Sequence, residues 1–150
     1  MSPWSMDETE ARLRGILCSL AVLTFLFTPI ELLLLGHTET WLQLVPFAAS
    51  FFGLVAAGWV LVEPSAARLS GARWLSLVII GTAVIGTWQH FQENLELELE
   101  IRPGTTWTDV VWEALHGSAP TLATGILVLG ALLVLGATYE HPALRQRSAT

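Results

Sequence analysis

Residues 15–36 read GILCSLAVLTFLFTPIELLLLG, an apolar stretch with a single acid, Glu31. A helix needs about 20 such residues to cross the ~30 Å hydrocarbon core of a bilayer. Three further apolar stretches of similar length follow at 41–62, 74–91 and 118–139, and none of them holds a carboxylate or a guanidinium. The pattern predicts an all-α integral membrane protein, a bundle of four transmembrane helices.

The composition leaves room for one domain. The chain has 150 residues, of which 53% are hydrophobic and 13% are charged, so we expect a single four-span membrane domain over 1–150. A soluble four-helix bundle is the alternative, but it needs a solvated polar face on each helix, and these stretches have none. The first stretch is also too long for a secretory signal peptide and lacks the small-residue cleavage motif.

The arginines give the orientation. Lysine is absent, and six of the seven arginines fall near the termini or in the 63–73 loop: Arg12, Arg14, Arg68, Arg73, Arg145 and Arg147. The other side, with the 37–40 and 92–117 loops and the nearby end of the first span, holds eight acidic residues against one arginine. The positive-inside rule therefore predicts both termini in the cytoplasm. An arginine-only basic set is typical of a GC-rich bacterial genome, which predicts the bacterial inner membrane and a periplasmic acidic face.

The 92–117 loop is the only sizeable segment outside the predicted spans. Leucine or isoleucine alternates with glutamate over 95–101, and this period of two predicts a periplasmic extended strand with one apolar and one acidic face. An irregular loop is the alternative. Thr106 followed by Asp109 is a helix N-terminal capping pattern. It predicts a short amphipathic helix that runs to about His116 on the outer surface.

Small residues mark a predicted helix contact. Ala49, Gly53 and Ala57 follow one another at intervals of four in the second span, the spacing that lets two membrane helices approach closely. Cys18 is the only cysteine, so no internal disulfide can form, and we expect it to be a packing residue.

Histidines and carboxylates gather at the periplasmic ends of the predicted spans. His90 and Glu93 are three residues apart, as are Glu113 and His116, so each pair shares one helix face. Imidazole and carboxylate suit zinc, copper or iron. The full set of predicted ligands is Glu31, His37, His90, Glu93, Glu113 and His116. Haem ligation by a histidine pair and ordinary interfacial polarity are the alternatives.

Glu31 carries a further expectation of its own. An ionised side chain within the hydrocarbon region costs on the order of 1–3 kcal/mol, depending on its depth, so an intramembrane acid usually marks a site. We expect His90 to be its partner; a carboxylate that reaches nearby headgroups is the alternative.

These features support two functions of different classes. The first is a small inner-membrane protein that binds a transition metal (copper, zinc or iron) for metal handling or redox work. The second is a non-catalytic accessory or assembly subunit of a larger membrane complex, since glycine-rich spans and a surface helix are contact-making features. In both cases we expect the bilayer and a homo-oligomer or other membrane subunits as partners, and no nucleic acid. The sequence contains no motif that names a reaction, so whether the chain is an enzyme stays open.

Overall fold

The structure, a computed structural model, describes residues 6–119 and 123–145. Within these residues every regular element is helical, and there is no strand. The elements are α1 (Met6–Leu34), a short 3-10 turn (Leu42–Leu44), α2 (Val45–Val62), α3 (Ala66–Ile101), α4 (Trp107–Leu115), α5 (Gly125–Thr138) and α6 (Pro142–Arg145).

Four of these helices form a bundle. α1 and α3 each pack against both α2 and α5, and α2 and α5 also touch across the centre. Successive helices of the bundle run in opposite directions. The start of α3 therefore lies beside the end of α5, where Arg73 contacts Thr138. We call this the clamp end of the bundle, and the opposite end, where α4 packs on α3, the hairpin end.

Three helical segments are long and apolar enough to span a membrane: Glu8–Leu34, Leu42–Val62 and Ala66–Ile101. Between 22% and 33% of the most apolar stretch of each is buried inside the protein. Most of their apolar surface therefore faces outward, which indicates a membrane protein. The fourth apolar helix, α5, has 14 residues. Since 120–122 lie outside the described residues, the fourth span over 118–139 stays a prediction.

The extended strand predicted over 95–101 is wrong, and so is the irregular loop considered as its alternative. These residues continue α3 without interruption to Ile101. Leucine and glutamate are both strong helix formers, and extending an existing helix needs no new nucleus. Leu95 and Leu99, one turn apart, are half-buried, whereas Glu96 and Glu100 are exposed. The alternating residues thus form a helix that packs one side, with Leu95 and Leu99, and exposes the side with Glu96 and Glu100.

Phe25 occupies the centre of the bundle. Its side chain is fully buried, and its ring carbons lie 2.5 Å from where a Cβ on Gly53 would stand and 2.8 Å from the corresponding position on Gly130. The Phe25 ring, which belongs to α1, therefore packs directly against the backbones of α2 and α5. Ala49 and Ala57 are buried on the same helix as Gly53, which confirms the predicted small-residue contact.

Two arginines hold the clamp end. The Arg14 guanidinium, from α1, donates hydrogen bonds to the carbonyl oxygens of Ala137 (2.8 Å) and Tyr139 (2.7 Å). Arg73, from α3, donates to the carbonyl oxygen (2.8 Å) and to Oγ1 (3.0 Å) of Thr138. The last carbonyls of a helix have no partner within the helix, and a positive charge there is favoured by the helix dipole. The two arginines therefore cap α5 and tie it to both neighbours.

His141 has a structural role beside this clamp. Its Nδ1 accepts a hydrogen bond from the backbone N–H of Ala143 at 3.2 Å, at the start of α6. Burial, and secondly the charge of Arg14, lower the pKa of His141 below its ordinary value. Both effects favour the neutral imidazole that this hydrogen bond requires.

Replacing Gly53 with alanine should destabilise the bundle. The new Cβ would lie 2.5 Å from the Phe25 ring, so the ring or α2 must move, and overpacking of this kind costs about 1–3 kcal/mol. Gly58→Ala on the same helix is the matched control, because a Cβ there meets nothing within 4 Å. Unfolding by sodium dodecyl sulfate in mixed micelles, followed by tryptophan fluorescence, measures the difference. Equal stability of the two variants would contradict the close packing of Phe25 on Gly53.

Candidate functional site

The last third of α3 and all of α4 form a helical hairpin. Residues 92–101 extend α3 beyond the apolar stretch 74–91, and ten helical residues add about 15 Å of length. α4 packs along this extension through Val110 and Ala114, both fully buried. We refer to residues 92–117 as the α3–α4 hairpin.

The start of α4 agrees with the prediction. Oδ2 of Asp109 accepts hydrogen bonds from the backbone N–H (2.9 Å) and the hydroxyl (2.7 Å) of Thr106. These hydrogen bonds, that of the hydroxyl first, hold the pKa of Asp109 below its usual value. The helix ends at Leu115, with His116 as its C-terminal cap. The capping pattern therefore located the start of this helix, and its end lies one residue before the predicted His116.

Asn94 joins the hairpin to the segment that leads to α5. Its side chain is buried; Nδ2 donates to the carbonyl oxygen of Ala119 at 2.7 Å, and Oδ1 accepts from the backbone N–H of Ala119 at 2.9 Å. A Cβ on Gly117 would collide with the Asn94 carboxamide, so glycine lets the chain pass this close. No pattern in the sequence predicts this contact. The one feature of the sequence that marks it is Asn94, a single asparagine in a segment rich in glutamate.

Arg102 holds the tip of the hairpin. Nη1 donates to Oε1 of Glu113 at 3.0 Å, and Nε lies 3.5 Å from Oε2 of Glu98. The hydrogen bond from Arg102 is the main reason that the pKa of Glu113 lies below its usual value, and the same contact raises the pKa of Arg102. Glu113, predicted as a metal ligand, is therefore an ionised partner of Arg102.

The histidines predicted as ligands occupy two separate places. The rings of His37 and His90 lie 6.2 Å apart between their centres, and Nδ1 of His90 is 3.6 Å from Oε2 of Glu93. His116 instead places Nδ1 2.9 Å from the carbonyl oxygen of Trp112, and its ring packs on the Trp112 indole. The two His/Glu pairs of the sequence therefore do not meet: among the predicted ligands, His37 lies near His90, and His90 lies near Glu93.

Glu31 lies near the end of α1 with its side chain exposed. Among the described residues no hydrogen bond or ion pair joins it to His90, whose neighbours are His37 and Glu93. Across 6–119 and 123–145, no three His, Cys, Asp or Glu side chains converge into a group that could hold a metal ion. Metal binding by the six predicted residues therefore stays a prediction.

The chain matches no protein-family model, no curated protein and no solved structure. Functional inference therefore rests on its own residues and their geometry.

Substituting Asn94 with alanine should loosen the hairpin. The change removes both hydrogen bonds to Ala119 and leaves its backbone groups without this partner, a loss of about 1–3 kcal/mol. Hydrogen–deuterium exchange of the α4 amides should accelerate accordingly, with Asn94→Asp, which keeps only the acceptor, in between. Gln92→Ala, at an exposed position on the same helix, should leave exchange unchanged. Unaltered exchange in Asn94→Ala would contradict the role of this contact.

The hairpin should also lose stability in acid. The pKa values of Asp109 and Glu113 are lowered in the folded chain, so the unfolded hairpin binds more protons as the pH falls. Their stabilisation is present above the ordinary carboxyl pKa values of about 4 and disappears as the pH drops through the lowered folded values. The protection factors of the α4 amides in hydrogen–deuterium exchange at pH 7, 5 and 3 measure this stability. Asp109→Asn/Glu113→Gln should show a flatter pH dependence, and an identical one would contradict the assignment.

Proposed function

We propose that this chain is an accessory or assembly subunit of a larger complex in the bacterial inner membrane, with four spans and both termini in the cytoplasm. Arg14 and Arg73 lie at the clamp end and Arg102 lies at the tip of the hairpin, a distribution of charge that supports this orientation. The α3–α4 hairpin would then stand in the periplasm. This hairpin, held rigid outside the bundle and exposing apolar side chains, is the observation that carries the proposal.

The hairpin exposes several large apolar side chains. Its large apolar side chains with 40–69% exposure are Leu97, Ile101, Trp107, Trp112 and Leu115. Ile101 and Trp107 stand at the tip, about 15 Å beyond the apolar stretch of α3, where lipid tails do not reach. Covering such surface yields about 25 cal/mol per Å², and exposed apolar patches of this kind mark interaction sites.

The charge of the same surface indicates the partner. Glu93, Glu96 and Glu100 are all exposed and, at intervals of three and four residues, share one face of α3. Leu97 and Ile101 lie beside them, one turn apart. We call these five residues the acidic face. It fits a basic amphipathic segment of another membrane protein, whereas two copies of it would repel each other.

Metal handling depends on a different feature, the His37–His90 pair. Neither function requires the other, because the acidic face needs no metal in order to bind a basic segment.

Charge reversal on the acidic face should release the chain from its complex. We expect wild-type chain, extracted from native membranes in mild detergent, to migrate on blue native gels in one discrete assembly with a second protein. Glu96→Lys and Glu100→Lys should each weaken association about 10-fold, which corresponds to ~1.4 kcal/mol. Glu39→Lys is the matched control, since Glu39 is exposed in the α1–α2 connection and lies off this face.

Two results would overturn the proposal. One is an assembly in which mass spectrometry finds copies of this chain alone; the other is an assembly that survives both acidic-face variants as well as it survives Glu39→Lys. Unchanged melting of the variants by circular dichroism establishes that they fold.

A further inference from the structure

The backbone holds His37 in a fixed place at the hairpin end. The N–H of His37 donates to the carbonyl oxygen of Leu32 at 2.9 Å, and the N–H of Gly36 donates to that of Leu33 at 3.1 Å. Together with the left-handed Gly36 (φ 68°), these bonds form the Schellman motif that ends a helix. His37 is therefore the first residue after a rigid helix end.

The distance between His37 and His90 has a specific meaning. A direct hydrogen bond between two imidazole nitrogens, at about 2.9 Å, brings the ring centres to roughly 5 Å. A metal bound to one nitrogen of each ring at about 2.0 Å, with the two nitrogens on opposite sides of it, separates the ring centres by roughly 6 Å. The observed separation is 6.2 Å, with the rings inclined by 49°. The two imidazoles are thus too far apart for a direct hydrogen bond, and the separation of their centres matches that of two rings bound to one ion in a linear arrangement.

His90 has a buried nitrogen with no hydrogen-bond partner. Its Nδ1 is enclosed, and the nearest ionisable group is Oε2 of Glu93 at 3.6 Å. A metal-bound histidine commonly donates its second ring N–H to a carboxylate, which fixes the tautomer. With the proton on Nδ1 facing Glu93, Nε2 of His90 keeps its lone pair for a metal.

The number of ligands selects the class of metal. Among the described residues two imidazoles meet and no third His, Cys, Asp or Glu completes a group. Structural zinc requires four ligands, whereas the monovalent d¹⁰ ions Cu(I) and Ag(I) bind two nitrogens in a linear arrangement. A single charge is also cheaper to desolvate than a double charge near the hydrocarbon, and the acidic residues at this end attract cations.

We propose that His37 and His90 form a two-coordinate site for a monovalent soft metal ion of the Cu(I) type, with Glu93 as a positioning residue for His90. The site joins the end of α1 to α3, so the bound ion would link two elements of the bundle at the hairpin end. The proposal does not rest on the proposed docking function, although Glu93 belongs to both sites.

The experiment uses the full chain, purified in detergent with a tag that contains no histidine. Ag(I), a redox-inert substitute, is titrated calorimetrically, and Cu(I) is titrated without oxygen against a chromogenic chelator. We expect one ion per chain. His37→Asn and His90→Asn should each weaken binding at least 100-fold, and Glu93→Gln about 10-fold.

His116→Asn and Cys18→Ser are the matched controls, because His116 lies against Trp112 and Cys18 is buried in the bundle core. Both should bind the ion as the wild type does. Binding that survives His37→Asn and His90→Asn, binding lost in either control, absence of binding, or tighter binding of Zn(II) than of Ag(I) would each overturn the proposal. Since the isolated chain is used, none of these outcomes bears on association through the acidic face.

Discussion

The close approach of three helices around Phe25 is the constraint on which the rest of the bundle depends. In lipid, apolar side chains gain little by leaving one apolar environment for another, so helix association relies on van der Waals contact. Gly53 and Gly130 allow that contact, because the Phe25 ring occupies the space that their side chains would need. This arrangement fixes α1 against α2 and α5, and α2 and α5 in turn position α3. The distance between His37 and His90 follows from that placement, since one follows α1 and the other lies on α3.

Side chains of different chemistry supply hydrogen-bond partners for backbone groups at the two ends of the bundle. Where a helix ends, its backbone groups need partners. At the clamp end Arg14 and Arg73 supply guanidinium donors to the last carbonyls of α5. These two arginines therefore have a structural role in addition to their place in the charge pattern of the sequence. At the hairpin end the groups concerned belong to the connection after α4: a neutral carboxamide, Asn94, pairs with both backbone groups of Ala119.

Local patterns in the sequence were sufficient for the apolar helices and for α4, and insufficient for residues 95–101 and for the contacts between elements. The small-residue spacing at Gly53 and the capping pattern at Thr106 are signals within one helix or its first turn, and both are confirmed. The strand over 95–101 failed because a period of two shows neither the helix propensity of leucine and glutamate nor the packing of α4 on that segment. Asn94–Ala119, Arg73–Thr138 and Arg14–Ala137 join residues 25, 65 and 123 positions apart, beyond any spacing rule. His90 and Glu93 are three residues apart on one helix, so their spacing predicts the contact. The position of His116 against Trp112, away from His90, depends on how α4 packs, which the spacing does not show.

Glu93 connects the two proposals physically. Its carboxylate faces Nδ1 of His90, and its side chain, largely exposed, belongs to the acidic face. A basic side chain that binds this carboxylate withdraws negative charge from His90, and a cation held by His90 lowers the affinity of the carboxylate for a second cation. Linkage requires that each effect equal the other in free energy. Because both proposed cations use one carboxylate, the coupling would have a negative sign: a bound metal would weaken the docking of a basic partner, and docking would weaken the binding of the metal.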